Sequence, residues 1–182
     1  MNTYISILRG INVNSQNIIK MDNLRESLKK NGYNNITTYI QSGNIVFSFE
    51  KVDIIKIKQD IVKRIQSDFG LDVPVIVLTI ESLKSIIKNN PLVNQNLNQD
   101  LLHITFLSSN IEDYNKDEIE IKKQNGEEII VSKDCVYLYC PFGYGKTKLT
   151  NIFLESKLGV IATTRNWKTS NELLKIAERI NK

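Results

Sequence analysis

A single histidine and two cysteines leave this chain with almost no transition-metal ligands. His103 stands apart from both thiols and there is no Cys-x-x-Cys, so no metal site is expected. Cys135 and Cys140 lie five apart in a strand-like stretch. That odd offset puts them on opposite faces, so they are expected to stay reduced thiols in or near a core. No apolar run approaches the ~20 residues needed to cross a bilayer. Met1 to Leu8 has no basic leader and Arg9 interrupts its apolar run, which argues against a secretory signal and for a cytoplasmic protein with no membrane partner. The charge excess is small, +4 in total. It falls short of a strong nucleic-acid footprint. In a chain so rich in Ile, Asn and Lys, the position of the charges must decide.

What is present is enough for a folded protein. Hydrophobic residues make up 41% of the chain, sufficient for a packed core, and the length suits one large domain or two small ones. Tyr4–Leu8 reads as a strand, followed by a polar loop from Arg9 to Lys20. Met21, Leu24 and Leu28 fall at helical spacing, and Asn31-Gly32 is a helix stop. Ile36–Ile40 and Ile45–Phe49 are β-rich runs joined by Gln41-Ser42-Gly43-Asn44, a hairpin in which Gly43 is free to take positive φ. Ile54, Ile57, Ile61 and Ile65 form the stripe of a helix ended by Gly70. Val73–Leu78 is a strand, and a short helix around Leu83, Ile86 and Ile87 stops before Pro91.

After an Asn/Gln-rich stretch the order repeats. Leu101–Leu107 is a strand, 111–123 a weaker helix, and Glu128–Val131 and Cys135–Cys140 pair across a turn at Ser132-Lys133-Asp134. Leu149, Ile152, Phe153 and Leu158 mark a helix closed by Gly159, Val160–Thr163 is a short strand, and Leu173, Leu174, Ala177 and Ile180 mark a last helix. Thr169-Ser170-Asn171-Glu172 fits a capping box at its start. The expected fold is α+β: two ferredoxin-like (βαββαβ) halves, each with an additional helix. The expected division is an N-terminal half over 1–89, a polar linker over 90–100 and a C-terminal half over 101–182.

Several segments together resemble one bacterial family, the domain of unknown function 1697. They are Leu8-Arg9-Gly10-Ile11-Asn12-Val13, the run from Thr38 to Phe47, Phe69-Gly70 with Val73-Pro74-Val75, Pro141 to Leu149, and Ala162 to Thr169. The resemblance implies an α+β, cytosolic bacterial protein and names no activity. The chain departs from the family after Val13. Where the family continues with glycines it has Asn14-Ser15-Gln16, which would compromise a loop needing positive φ.

Three motifs are candidates for function, each with a structural alternative. Gly143-Tyr144-Gly145-Lys146-Thr147-Lys148 follows a strand and is expected to open a helix. It is not a P-loop, because the glycine required five residues before Gly145 is Cys140. Backbone N–H groups, a helix dipole and two lysines would still make an anion site; the alternative is a tight turn with Thr147 as N-cap. A helix terminus supplies about 0.3–1 kcal/mol, whereas millimolar binding needs about 4 kcal/mol, so other cations must converge. Arg165 and Arg9 are the candidates. Arg165-Asn166-Trp167 offers a fork donor, an amide and a stacking plane, or else Trp167 packs beneath the last helix. At the hairpin tip, Gln41, Ser42 and Asn44 either bond the turn itself or form a polar cleft with Arg9 and Asn12. His103 shares a strand face with Leu101, Thr105 and Leu107 and has no evident catalytic partner. Glu118, Glu120, Glu127 and Glu128 read as solvated.

The leading expectation is a binding protein for a phosphate-bearing ligand, either a nucleotide or single-stranded nucleic acid. The candidate ligand-binding residues are Arg9, Asn12, Gln41, Ser42, Asn44, Lys146, Lys148, Arg165, Asn166 and Trp167. An enzyme acting on a small anionic metabolite is the alternative, with His103, Tyr39 or Tyr144 as its only titratable candidates. An interaction or dimerisation module is the third. No cofactor is called for.

Overall fold

The computed structural model describes residues 1–13 and 15–182. The chain runs β1 (Asn2–Leu8), α1 (Met21–Lys29), β2 (Asn34–Tyr39), β3 (Asn44–Phe49), α2 (Ile54–Phe69), β4 (Val75–Thr79) and α3 (Ile80–Lys88). It then runs β5 (Leu102–Leu107), α4 (Lys116–Glu120), β6 (Glu128–Val131), β7 (Cys135–Tyr139), α5 (Asn151–Leu158), β8 (Ala162–Asn166) and α6 (Trp167–Ile180). Among the described residues this gives two four-stranded sheets and six α-helices. No helix among them is long and apolar enough to cross a membrane.

The sheet orders are β2-β3-β1-β4 and β6-β7-β5-β8, antiparallel at every neighbour. Each half is therefore βαββαβ plus a helix, with its first strand, β1 or β5, inserted between its third and fourth. The chain divides into two compact units, one of Met1–Lys84 with Glu172–Lys182 and one of Ser85–Asn171. The Asn/Gln-rich stretch forms two 3-10 turns, Pro91–Asn94 and Gln99–Leu101, capped by the side chains of Asn90 and Asn98. Its composition is turn chemistry: asparagine amides accepting from backbone N–H groups two residues on.

In the first unit α2 shows how the sequence builds a core. Asp53 caps its start by accepting from Ile55 N, and Gly70 ends it at φ +68. Ile57, Ile61 and Ile65 repeat every four residues and are buried against Tyr4, Leu8, Leu24, Leu28 and Phe47, each worth about 1.5–3 kcal/mol of transfer free energy. The second unit repeats the plan with Leu154 and Leu158 of α5 and Ile119 of α4 over Val136, Leu138 and Ala162. Both cysteines are buried free thiols, pushed up to about 12 by desolvation.

Three local expectations change. The helix expected over 111–123 shortens to Lys116–Glu120, capped by Asn115. The expected strand Val160–Thr163 shifts to Ala162–Asn166, where it pairs with β5. Helix α6 starts at Trp167, so the capping box at Thr169 lies inside it. The cap is Asn166, whose Oδ1 accepts from Thr169 N at 2.7 Å. Strand pairing through Asn166↔His103 holds the chain extended up to that residue, so the first usable cap is Asn166.

Candidate functional site

The ten residues singled out divide between the two units, and each set is described within its own. In the first unit, the loop after β1 meets the hairpin tip and the entry to β4: Leu8 N donates to Gly43 O at 2.8 Å and Arg9 N to Pro74 O at 2.9 Å. Asn12 ties the loop together. Its Nδ2 donates to Ile19 O (3.0 Å) and Gln41 O (2.7 Å), and its Oδ1 accepts from Ile19 N (2.9 Å). Asn44 is completely buried, with Nδ2 donating to Tyr39 O and Ser42 Oγ. Loop and tip thus stand side by side, as a cleft would require, but Asn12, Ser42 and Asn44 spend hydrogen bonds on the protein itself. Gly43 is forced: at φ +77, a Cβ there would lie 2.7 Å from Leu8 Cβ and Ile11 Cδ1. Gln41 is exposed and, among the described residues, only its backbone oxygen is engaged.

The loop also tests the family departure. Asn12, Ser15 and Asn17 all have positive φ, 55°, 62° and 49°. The geometry that glycine would supply is therefore adopted here by serine and asparagine, and asparagine tolerates it best. Asn14 lies outside the described residues.

In the second unit, β7 and β8 both pair with β5, His103 facing Leu138 on one side and Asn166 on the other. The loop leaving β7 and the junction of β8 with α6 therefore lie at the same end of the sheet, where β5 begins. The loop after β7 does not open a helix directly. Gly143, at φ +87 and ψ 147, leads into a 3-10 turn at Tyr144–Lys146, and α5 begins only at Asn151, capped by Thr150. Lys146 and Lys148 are therefore not at a helix N-terminus, and Thr147 is not its cap. Both lysines are exposed and make no ion pair among the described residues. Between β7 and this turn, Phe142 is 57% exposed.

Arg165 is inside β8, opposite Ile104, rather than in the loop beyond it. Its Nη1 donates to Thr163 Oγ1 (3.0 Å) and Thr164 O (2.9 Å). It retains some exposed surface, yet the surroundings desolvate it enough to bring its pKa down to about 10, which leaves it cationic at neutral pH. Asn166 is spent as the helix cap. Trp167 opens α6, half-buried and followed by the exposed Lys168.

A polar network missed by the sequence reading anchors this loop. Tyr144 Oη lies 3.0 Å from Thr164 Oγ1 and 3.3 Å from Asn151 Oδ1. Thr164 Oγ1 donates to Asn151 Oδ1 at 2.6 Å and lies 2.7 Å from Thr105 Oγ1. Each hydroxyl has one proton, so Thr105 donates to Thr164 and Thr164 accepts from Tyr144 as well. No sequence signal announced it, because only the pairing of β8 with β5 sets Thr105 opposite Thr164. Tyr144 stacks on His103, ring centroids 5.2 Å apart. Burial lowers the His103 pKa below its usual value, so the ring is neutral at pH 7. Its Nδ1 lies 3.1 Å from Leu101 O, which makes Nδ1 the protonated nitrogen. Nε2 makes no hydrogen bond among the described residues. It is not sealed away either, since among the described residues the fully enclosed polar side-chain atoms lacking a partner are Ser6 Oγ and Asn90 Nδ2.

Charge is distributed unevenly. Residues 135–171 carry Lys146, Lys148, Lys157, Arg165 and Lys168 against Glu155 alone, while outside them cations and carboxylates are equal in number. The whole excess of +4 thus sits in this segment. Glu155 accepts from Ala162 N and Lys157 pairs with Glu118. Glu127, expected to be solvated, is buried and accepts from Gln124 N at 2.8 Å. A groove of about 300 Å³ beside Arg25, Lys29 and Ile36 touches none of the ten residues; Arg25 there is engaged by Asp22 and Thr38. No group of three or more His, Cys, Asp or Glu among the described residues is placed to hold a metal ion.

No curated protein matches the chain. Among solved structures it is similar to a conserved bacterial protein from Streptococcus pneumoniae, at 24% identity and a TM-score of 0.65, over 97% of this chain and 98% of that one. At that identity the likeness speaks for the fold alone. The family model described as "Protein of unknown function (DUF1697)" matches residues 1–137, three quarters of the chain, and the protein belongs to that family.

Proposed function

We propose that the protein binds a phosphate-bearing ligand on the second unit, at the end of the sheet where the loop after β7 emerges and β8 passes into α6. One observation carries this reading: the entire charge excess lies in residues 135–171, with Lys146, Lys148 and Lys168 exposed. Millimolar affinity needs about 4 kcal/mol, and several charge-assisted hydrogen bonds at about 1.5–3 kcal/mol each reach it. Tyr144, Thr164 and Asn151 hold the loop in place, so little ordering is required on binding. Asn12, Ser42, Asn44 and Asn166 are then structural, since the protein's own backbone uses the three asparagine side chains and Ser42 Oγ accepts from Asn44. The test is calorimetric titration with pyrophosphate and nucleotides at low salt. Saturable binding that the double variant Lys146→Ala/Lys148→Ala abolishes, with its melting temperature unchanged, supports the reading. Absence of saturable binding overturns it.

A second reading, an enzyme acting on a small anionic metabolite at the same place, is favoured by His103. A neutral imidazole with its tautomer set by Leu101 O and its Nε2 unengaged has the form of a general base. Screening small phosphorylated and carboxylated metabolites for turnover, with His103→Gln as control, tests it. Turnover indifferent to that substitution would discard His103 as the base.

A further inference from the structure

We infer that the ligand is single-stranded nucleic acid, bound across the ends of β7 and β8 with Phe142 as a stacking platform. This rests on the phosphate-binding reading above and names its partner. Three features favour a strand over a single nucleotide. The first is aromatic exposure. Phe142 leaves 57% of its surface in solvent, and Trp167, the first residue of α6, is partly exposed at the neighbouring strand end. Proteins that hold single strands combine such planes with a cationic path.

The second is the arrangement of cations. Lys146 and Lys148 follow Phe142 on the loop after β7, and Lys168 follows Trp167 in the first turn of α6, so each aromatic is accompanied by lysine free of ion pairs among the described residues.

The third is width. Strands β7 and β8 flank β5 on its two sides, so their ends are about 10 Å apart, two interstrand spacings. A stacked strand advances about 3.4 Å per nucleotide, so a ligand touching both strand ends covers more than one. The backbone between the two aromatics is fixed on both sides. Asn166 caps α6 and Tyr144 bonds Thr164, which keeps Phe142 and Trp167 on ordered supports. No base-edge readout is implied, because stacking and phosphate contacts tolerate any sequence.

The experiment is fluorescence anisotropy with labelled 12-mers of oligouridylate and oligothymidylate, alongside uridine monophosphate as competitor and a duplex of equal length. The 12-mers should bind at least tenfold tighter than the mononucleotide, and tighter than the duplex at equal salt. Engagement of three phosphates, one for each of Lys146, Lys148 and Lys168, predicts about a 20-fold loss of affinity between 50 and 200 mM salt, and removing Lys146 and Lys148 should lower the slope of log affinity against log salt by about 1.4. Phe142→Ala should weaken binding about tenfold at unchanged slope, with its melting curve confirming the fold. If the mononucleotide binds as tightly as the 12-mers, or Phe142→Ala is without effect, the strand inference is overturned while phosphate binding stands. If neither ligand binds, both fall. Preference for the duplex would also overturn it.

Discussion

The two halves share an order of elements but use their strand-end loops differently. In the first half, the loop after β1 and the tip of the β2–β3 hairpin close on themselves. Asn12 makes three hydrogen bonds to backbone, Asn44 is fully buried, and Gly43 admits no Cβ. In the second half, the corresponding polar side chains hold the loop from below, through Tyr144, Thr164, Asn151 and Thr105, and leave its lysines and Phe142 outside. The position also differs: the first half's motif lies where β1 ends, the second's where β5 begins. A polar motif whose hydrogen bonds are satisfied by its own backbone is architecture. A motif whose cations remain unpaired has capacity left for a ligand.

The two glycines break this comparison most sharply. Gly43→Ala should destabilise by about 3 kcal/mol or more, since it adds a steric clash to the cost of positive φ. Gly143→Ala, with nothing within 4 Å of the added Cβ, should cost only about 1–2 kcal/mol of backbone strain. Urea unfolding of both variants measures the difference, and equal losses would erase it.

Next come the two clasps. Asn12→Ala removes three hydrogen bonds and should cost about 3 kcal/mol, against about 1 kcal/mol for Tyr144→Phe. Tyr144→Phe should also weaken ligand binding by loosening the loop, whereas Asn12→Ala should leave any binding intact in the fraction that remains folded. The same unfolding curves, with pyrophosphate titration of each variant, check both.

Smaller effects sharpen the picture. Ser15→Gly should stabilise by up to about 1 kcal/mol, because serine at φ 62° carries a penalty that glycine lacks. A rise in melting temperature is the readout. The last is pH dependence. His103 has a folded pKa below its unfolded value near 6.5, so below that pH the unfolded chain binds a proton the folded one resists. Stability is fully present above about pH 6.5 and declines as pH falls through it toward the folded pKa. In His103→Phe this part of the slope between pH 7.5 and 5 should vanish.

Much of the fold was legible. Isoleucine spacing at 57, 61 and 65 announced α2, Gly70 its end, and Gly43 the hairpin, because these signals act within a turn or two of chain. The start of α6 was not. Thr169 and Asn166 are both good caps, and what selected Asn166 was the pairing of β8 with β5, a contact between residues far apart in sequence. The same cause shifted Arg165 from a loop into a strand. At the candidate site, Lys146, Lys148 and Trp167 could be named from the sequence, but the Tyr144–Thr164–Asn151 clasp could not, since it joins three segments brought together only by the sheet.

The sequence alone thus determined the α+β class, the repeated βαββαβ order and the confinement of its charge excess to residues 135–171, for these depend on local periodicity and composition. Only the tertiary structure decided which polar residues are spent and which are left over. Asn12, Asn44 and Asn166 looked like ligand contacts until their hydrogen-bond partners were in place. Satisfaction of a polar group depends on what the fold puts within 3 Å of it.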